Sequence, residues 1–195
     1  LMRACACAAA ASDARMSGCE LPVVINSGSG NQGITVSVPL IVYARHLGSS
    51  DEQLYRALVL SNLVAIHQKT GIGRLSAFCG AVCAGAAAGA GIAYLDGGGY
   101  CEACHAVVNA LSIVAGMVCD GAKADCALKI STCVNAACQA AAMGTRGVRV
   151  QSTDGIVEEN VERTLDNFAI LSTHGTSDSV ILDLMLNKEH APDAE

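Results

Sequence analysis

The chain of 195 residues has no tryptophan, two phenylalanines and four tyrosines, so aromatic side chains make up only 3% of it. Bulky side chains are scarce, yet 52% of residues are apolar, so Ala, Val, Ile, Leu and Cys must fill the interior. Small side chains fill a core only where backbones approach closely, which predicts tightly packed helices. Charge is also scarce, at 15% with a net of −6, and no cluster of Lys and Arg stands out. Nucleic-acid binding normally needs a clustered positive patch, so that class of partner is not expected. A cationic start followed by a hydrophobic run and a small-residue cleavage site is also missing, which removes support for a secretory leader.

Cysteine, in contrast, is abundant. There are eleven, an odd number, and most lie in Ala-rich stretches rather than in the loop-rich frame of a disulfide-stapled secreted domain. A reducing cytoplasm is the expected compartment. The length suits one domain over 1–195. The opening "LMRACACAAAASDARM" has no initiating Met and no N-cap residue before its apolar pattern, as expected of a piece of a longer protein.

Periodicity predicts a mainly α fold, an Ala/Gly-rich helical bundle with one glycine-rich loop. A helix is expected over 2–16, then a loop at "NSGSGNQG" (26–33), then a helix beginning after Pro39 and ending at Gly48. Ser50-Asp51-Glu52-Gln53 reads as a capped start, and Leu54, Leu58, Val59, Leu63 and Ile66 recur at helical spacing behind it. "DGGGY" (96–100) is a turn, helical character resumes at Cys101, and "ADCALKISTCVNAACQAAAM" is a helix ending at Gly144. An irregular link precedes a polar amphipathic helix over 157–171, and the tail 175–195 reads as a short helix with a frayed end.

The uncharged run 76–95 is long enough for a membrane span, but Ala and Gly are nearly neutral on insertion scales. A tight soluble bundle uses the same small residues, so no membrane partner is expected. "CEACH" (101–105) matches the attachment pattern of a c-type haem and half of a zinc site. It lacks a second C-x-x-C, and the plainer alternative is two helix-start cysteines beside an exposed histidine. Cys5, Cys7, Cys133 and Cys138 sit among alanines and read as small core residues. Cys79, followed by glycine, and Cys119, in "VCDGAK" where a helical run breaks beside Lys123, are the stronger ligand candidates.

The blocks "SGSGNQG" (27–33), "HQKTGIGRLSA" (67–77), "CDGAK" (119–123) and "TDGIVEENVERTLDN" (153–167) resemble the carboxy-terminal half of the L-cysteine desulfidase family. That family is in turn similar to the alpha chain of the iron–sulfur L-serine dehydratases, and the resemblance runs in order over nearly the whole chain. It implies a lyase, independent of pyridoxal phosphate, that eliminates sulfide from L-cysteine to leave pyruvate and ammonia. L-serine dehydration by the same architecture is the alternative. The implied cofactor is a [4Fe–4S] cluster on three cysteines, with Cys79 and Cys119 at two ligand positions. The third is expected in the amino-terminal half of the protein, outside this chain, with Cys126 as the in-chain alternative. The isolated chain is therefore expected to be inactive, and its cluster easily lost to oxygen.

Elimination from the β-carbon needs a Lewis acid for the leaving group, a base for the Cα proton and a clamp for the carboxylate. Ser27, Gly28, Ser29, Gly30, Asn31 and Gln32 offer such a cradle, with a plain turn as the alternative reading. Lys69 is a further substrate contact, and Lys123 and His67 are candidate bases, each set against the alternative of a surface or helix-terminal residue. The remaining expected partners are the small amino-acid substrate, the absent half of the protein and a second copy in a homodimer. From another class, the rival is a cysteine-rich metal-binding or redox module built on "CEACH".

Overall fold

The computed structural model describes residues 1–175, and the helix expected in the tail lies outside them apart from its first residue. Seven helices follow one another: α1 (Met2–Met16), α2 (Gly30–Leu47), α3 (Asp51–Ile72), α4 (Gly80–Leu95), α5 (Tyr100–Val114), α6 (Cys126–Gly144) and α7 (Val161–His174). Among the described residues there is no strand, only isolated bridges at Asn26–Ser29 and Phe78–Val118. One apolar cluster draws residues from every helix, from Cys5 and Ala8 on α1 to Phe168 on α7.

The lack of bulk sets the architecture. Helix α4 is "GAVCAGAAAGAGIAYL", buried continuously from Ala81 to Ala93, with α2, α3, α5 and α6 packed around it. Its glycines allow that crowding. A Cβ on Gly85 would lie 2.9 Å from the Cys133 carbonyl oxygen of α6, and one on Gly91 would lie 2.4 Å from Leu40 of α2. No described helix is long and apolar enough to cross a membrane.

Three sequence expectations shift. Helix α2 runs through Pro39 instead of starting after it, so the last four residues of the predicted loop, Gly30–Gly33, are its first turn. Pro39 removes one amide from the ladder. Nearby carbonyls are served by hydroxyls, Ser61 Oγ donating to Val36 at 3.0 Å and Ser37 Oγ to Gly33 at 2.6 Å. On α3 the expected capping box forms, Ser50 Oγ accepting from the Gln53 amide at 3.3 Å and Gln53 Oε1 from the Ser50 amide at 2.9 Å. Of its predicted apolar positions, however, Val59, Leu63 and Ile66 are exposed and Leu54 and Leu58 half-buried, while Ala57, Ser61 and Ala65 are buried. The Ala/Gly surface of α4 admits only small side chains at that distance. Finally, α7 begins at Val161, after Asn160, whose Oδ1 accepts from the Glu162 amide at 2.8 Å.

Close packing of α4 on α6 makes a direct prediction. Gly85→Val forces side-chain atoms into the Cys133 backbone and should cost about 1–3 kcal/mol. Gly116→Ala, at a position with nothing within 4 Å of the new Cβ, should stay within about 0.5 kcal/mol of the parent. Urea midpoints with unchanged slope check both.

Candidate functional site

Two backbone hydrogen bonds gather the site. The Cys79 amide donates to the Met117 carbonyl at 2.9 Å and the Cys119 amide to the Ala77 carbonyl at 2.7 Å, on either side of the Phe78–Val118 bridge. Cys79 and Cys119, forty residues apart in sequence, therefore stand side by side, Cys79 as the N-cap of α4 and Cys119 in the link between α5 and α6. Their thiols share a hydrogen bond. That bond, the Gly121 amide and the Lys129 charge lower the Cys119 thiol to about 6, against the opposing effect of burial. The same bond and burial raise Cys79.

A cavity of about 350 Å³ opens over this pair. Gly28, Ser29, Asn31 and Gln32 line it, as do Lys69, Cys79, Cys119 and Cys126, so most of the predicted site residues meet here. The approach to α2 is a tight turn. Ser27 (φ 50°) and Gly28 (φ 90°) occupy the two positive-φ positions of a type I′ turn, closed by the Ser29 amide donating to the Asn26 carbonyl at 3.1 Å. Buried Asn26 anchors it, Nδ2 donating to Asn62 Oδ1 at 2.9 Å. Ser29 then caps α2 without a side-chain bond, which leaves the first amides of α2 at the cavity. The first turn of α4 ends there too, through Gly80 and Ala81. Both helices turn their positive ends toward one space.

Lys69, near the end of α3, is only 6% exposed, and its Nζ donates to Ser76 Oγ at 3.3 Å. Lys129 also lines the cavity. Its ammonium is answered by Asp120 and, at 3.7 Å, by Asp125. Hydrogen bonds from Lys123 and Lys129 hold the Asp120 carboxyl well below the usual carboxylate range.

Four predicted residues are absent from the cavity wall: Ser27 and Gly30, which neighbour residues that line it, and His67 and Lys123. His67 is exposed on the outer side of α3, with Nε2 2.7 Å from Glu162 of α7. Lys123 is absent from the cavity wall, its Nζ 2.6 Å from Asp120 Oδ2. Conversely, no sequence pattern pointed to Arg15. From the end of α1 its Nη1 donates to Asn31 Oδ1 at 3.0 Å, and its side chain lines the cavity with Arg74 and Ser76. That pairing spans 16 residues with no local pattern behind it.

The other cysteines sort by environment. Cys5, Cys83, Cys133 and Cys138 are buried, and burial raises all four thiols, the last three to about 12. Cys101 is exposed and Cys104 half-buried at a separate cleft of about 330 Å³ with His105 and Arg149. Among the described residues no three His, Cys, Asp or Glu side chains are gathered closely enough to hold one metal ion, at "CEACH" or elsewhere.

A helical protein with two neighbouring cysteines in a cation-lined cavity is thus defined. The serine dehydratase alpha chain family matches residues 1–181, and the chain belongs to this family. It is 57% identical over 189 residues to a UPF0597 protein of Desulfitobacterium hafniense, covering 96% of this chain and 44% of the relative. A UPF0597 protein of Lachnoclostridium phytofermentans is 52% identical over 188 residues, covering 95% and 45%, and one of Treponema denticola 51% over 180 residues, covering 91% and 42%. The chain therefore spans less than half the length of these relatives. No solved structure matches it.

The cradle depends on Gly33, where a Cβ would fall 1.8 Å from the Val24 carbonyl oxygen. Gly33→Ala should push the 24–26 segment off α2 and lower stability by more than about 3 kcal/mol, read from thermal and urea unfolding.

Proposed function

We propose that this cavity is the leaving-group and substrate site of an iron–sulfur lyase that eliminates sulfide from L-cysteine, with L-serine dehydration as the alternative reaction. The observation that carries the reading is the convergence of Cys79 and Cys119 at the N-terminus of α4, under a cavity lined, among the described residues, by four cationic side chains and no acidic one. Soft thiolates suit iron, and a lowered Cys119 thiol beside two helix N-termini is the environment in which thiolate persists.

The donor set fits a cluster. A cluster takes one thiolate per iron, so its ligands need not crowd around one ion. Cys126, first residue of α6, lines the same wall, with Sγ accepting from the Lys123 amide at 3.4 Å and facing the Gly121 carbonyl at 3.7 Å. That position keeps Cys126 as the in-chain candidate for the third ligand, beside a cysteine of the rest of the protein. When bound, a cluster with one open iron supplies a Lewis acid for the departing sulfur or oxygen. The chain's own residues do the rest of what is assigned here. The 27–32 turn and the first amides of α2 form the cradle, Lys69 places a buried cation beside it, and Phe78 and Ile130 give the cavity apolar walls that limit water. Neither His67 nor Lys123 reaches the cavity, so the reading assigns the Cα proton to neither.

A cysteine-rich redox module at "CEACH" is the rival, and cysteine variants separate the two. In the full-length protein reconstituted without oxygen, Cys79→Ala and Cys119→Ala should abolish cluster absorbance together with iron and acid-labile sulfide. The double variant Cys101→Ala/Cys104→Ala should retain all three. Cys126→Ala should behave like the first pair if the third ligand lies in this chain, and like the second if it lies elsewhere. Turnover is read as sulfide and pyruvate from L-cysteine, or pyruvate and ammonia from L-serine. The isolated 195-residue chain should release no sulfide.

A further inference from the structure

The cysteine pair of "CEACH" takes no part in the cavity over Cys79 and Cys119. Cys101 and Cys104 are both free, Cys101 exposed and Cys104 half-buried. Both line the separate cleft of about 330 Å³ where the start of α5 meets Arg149 and residues 159–161 at the start of α7. They stand three residues apart inside α5, a spacing that puts two side chains on one face of a helix. Burial raises the Cys104 thiol, a hydrogen bond from the Tyr100 hydroxyl opposes that, and a charge on Cys101 adds to it. The two sulfurs are therefore within electrostatic reach of each other. Among the described residues no third His, Cys, Asp or Glu joins them closely enough to hold a metal ion. Two adjacent thiols without a third ligand are suited to exchange with a disulfide.

Helix geometry sets how easily the pair closes. Rise and radius put the Cα atoms of residues three apart about 5 Å from each other, inside the span of about 4.4–6.8 Å that a disulfide accepts. The Cβ atoms, about 5–6 Å apart in a regular helix, must come to about 3.5–4.5 Å. The first turn has to tighten for that, and Gly97, Gly98 and Gly99 directly before it give the backbone freedom to follow. A bond closed against such resistance is readily reduced again, so both states are accessible.

We propose that Cys101 and Cys104 form a second functional site, a redox pair that exchanges with low-molecular-weight disulfides such as oxidised glutathione, independent of the Cys79–Cys119 cavity. The exposed Cys101 sulfur, as thiolate, attacks one sulfur of the small disulfide. That S–S bond breaks, one small thiol leaves, and a mixed disulfide remains on Cys101. The Cys104 sulfur, as thiolate, then attacks the Cys101 sulfur and releases the second small thiol. The pair gives up two electrons and two protons, and the small disulfide takes up both.

The full-length protein tests this after equilibration, without oxygen, in buffers of graded reduced and oxidised glutathione, followed by acid quenching, alkylation and peptide mass mapping. Cys101 and Cys104 should lose alkylation together in one two-electron transition within the range the buffers span, and the peptide that holds them should be two hydrogens lighter. Cys104→Ser should stop at a glutathione adduct on Cys101, since the resolving sulfur is gone. Cys101→Ser should slow glutathione uptake at position 104 roughly 10-fold relative to uptake at 101 in Cys104→Ser, because the half-buried sulfur is the less accessible. The transition should persist in Cys79→Ala/Cys119→Ala, whatever that variant does to lyase activity. Retained alkylation of both residues at every buffer ratio, or a stable glutathione adduct on Cys101 of the parent, overturns the proposal. So does loss of the transition in Cys79→Ala/Cys119→Ala, which would make it a property of the cavity thiols.

Discussion

Everything in this structure depends on how closely backbones can approach α4. With almost no aromatic bulk, the chain fills its centre with a helix of alanine and glycine, and four other helices pack directly on it. Gly85 against Cys133 and Gly91 against Leu40 mark the closest approaches. That packing brings the starts of α2 and α4, the end of α3 and the link after α5 to one place. A bulkier α4 would hold these ends apart.

The electrostatics of the cavity follow from the same arrangement. Two helix N-termini supply fixed partial positive charge, and Arg15, Lys69, Arg74 and Lys129 add full charges from separate parts of the chain. Among the described residues no acidic side chain lines this wall, and Asp120 and Asp125 steady Lys129 from outside it. Within this field one thiol of the Cys79–Cys119 pair is lowered, whereas Cys83, one helical turn into α4, is surrounded by apolar atoms and raised. Eleven free cysteines thus differ less in kind than in what faces them.

Much of the fold was legible in advance. Small apolar residues in long uncharged stretches, the capping box at Ser50 and the turn at 96–99 lead to a mainly helical protein, and distinctive blocks lead to the serine dehydratase alpha chain family. Local rules failed where tertiary contact overrode them. Helix α2 runs through Pro39 instead of starting after it, with hydroxyls of Ser37 and Ser61 bonded to the Gly33 and Val36 carbonyls nearby. On α3 the apolar spacing was real, but Val59, Leu63 and Ile66 face outward, while Ala57, Ser61, Ala65, Gln68 and Ile72 are buried.

The site divides along the same line. The sequence by itself determined which residues carry chemistry of the right type: thiols at 79 and 119, a glycine-rich turn at 26–33, and a basic residue at 69. Only the tertiary structure decided that these share a cavity, that Arg15 joins them, and that His67 and Lys123 do not. The physical reason is that residue type and spacing fix local conformation. Convergence of segments as distant in sequence as those of Arg15 and Lys129 is set by helix packing and by two backbone hydrogen bonds beside the Phe78–Val118 bridge, and neither leaves a pattern in the sequence.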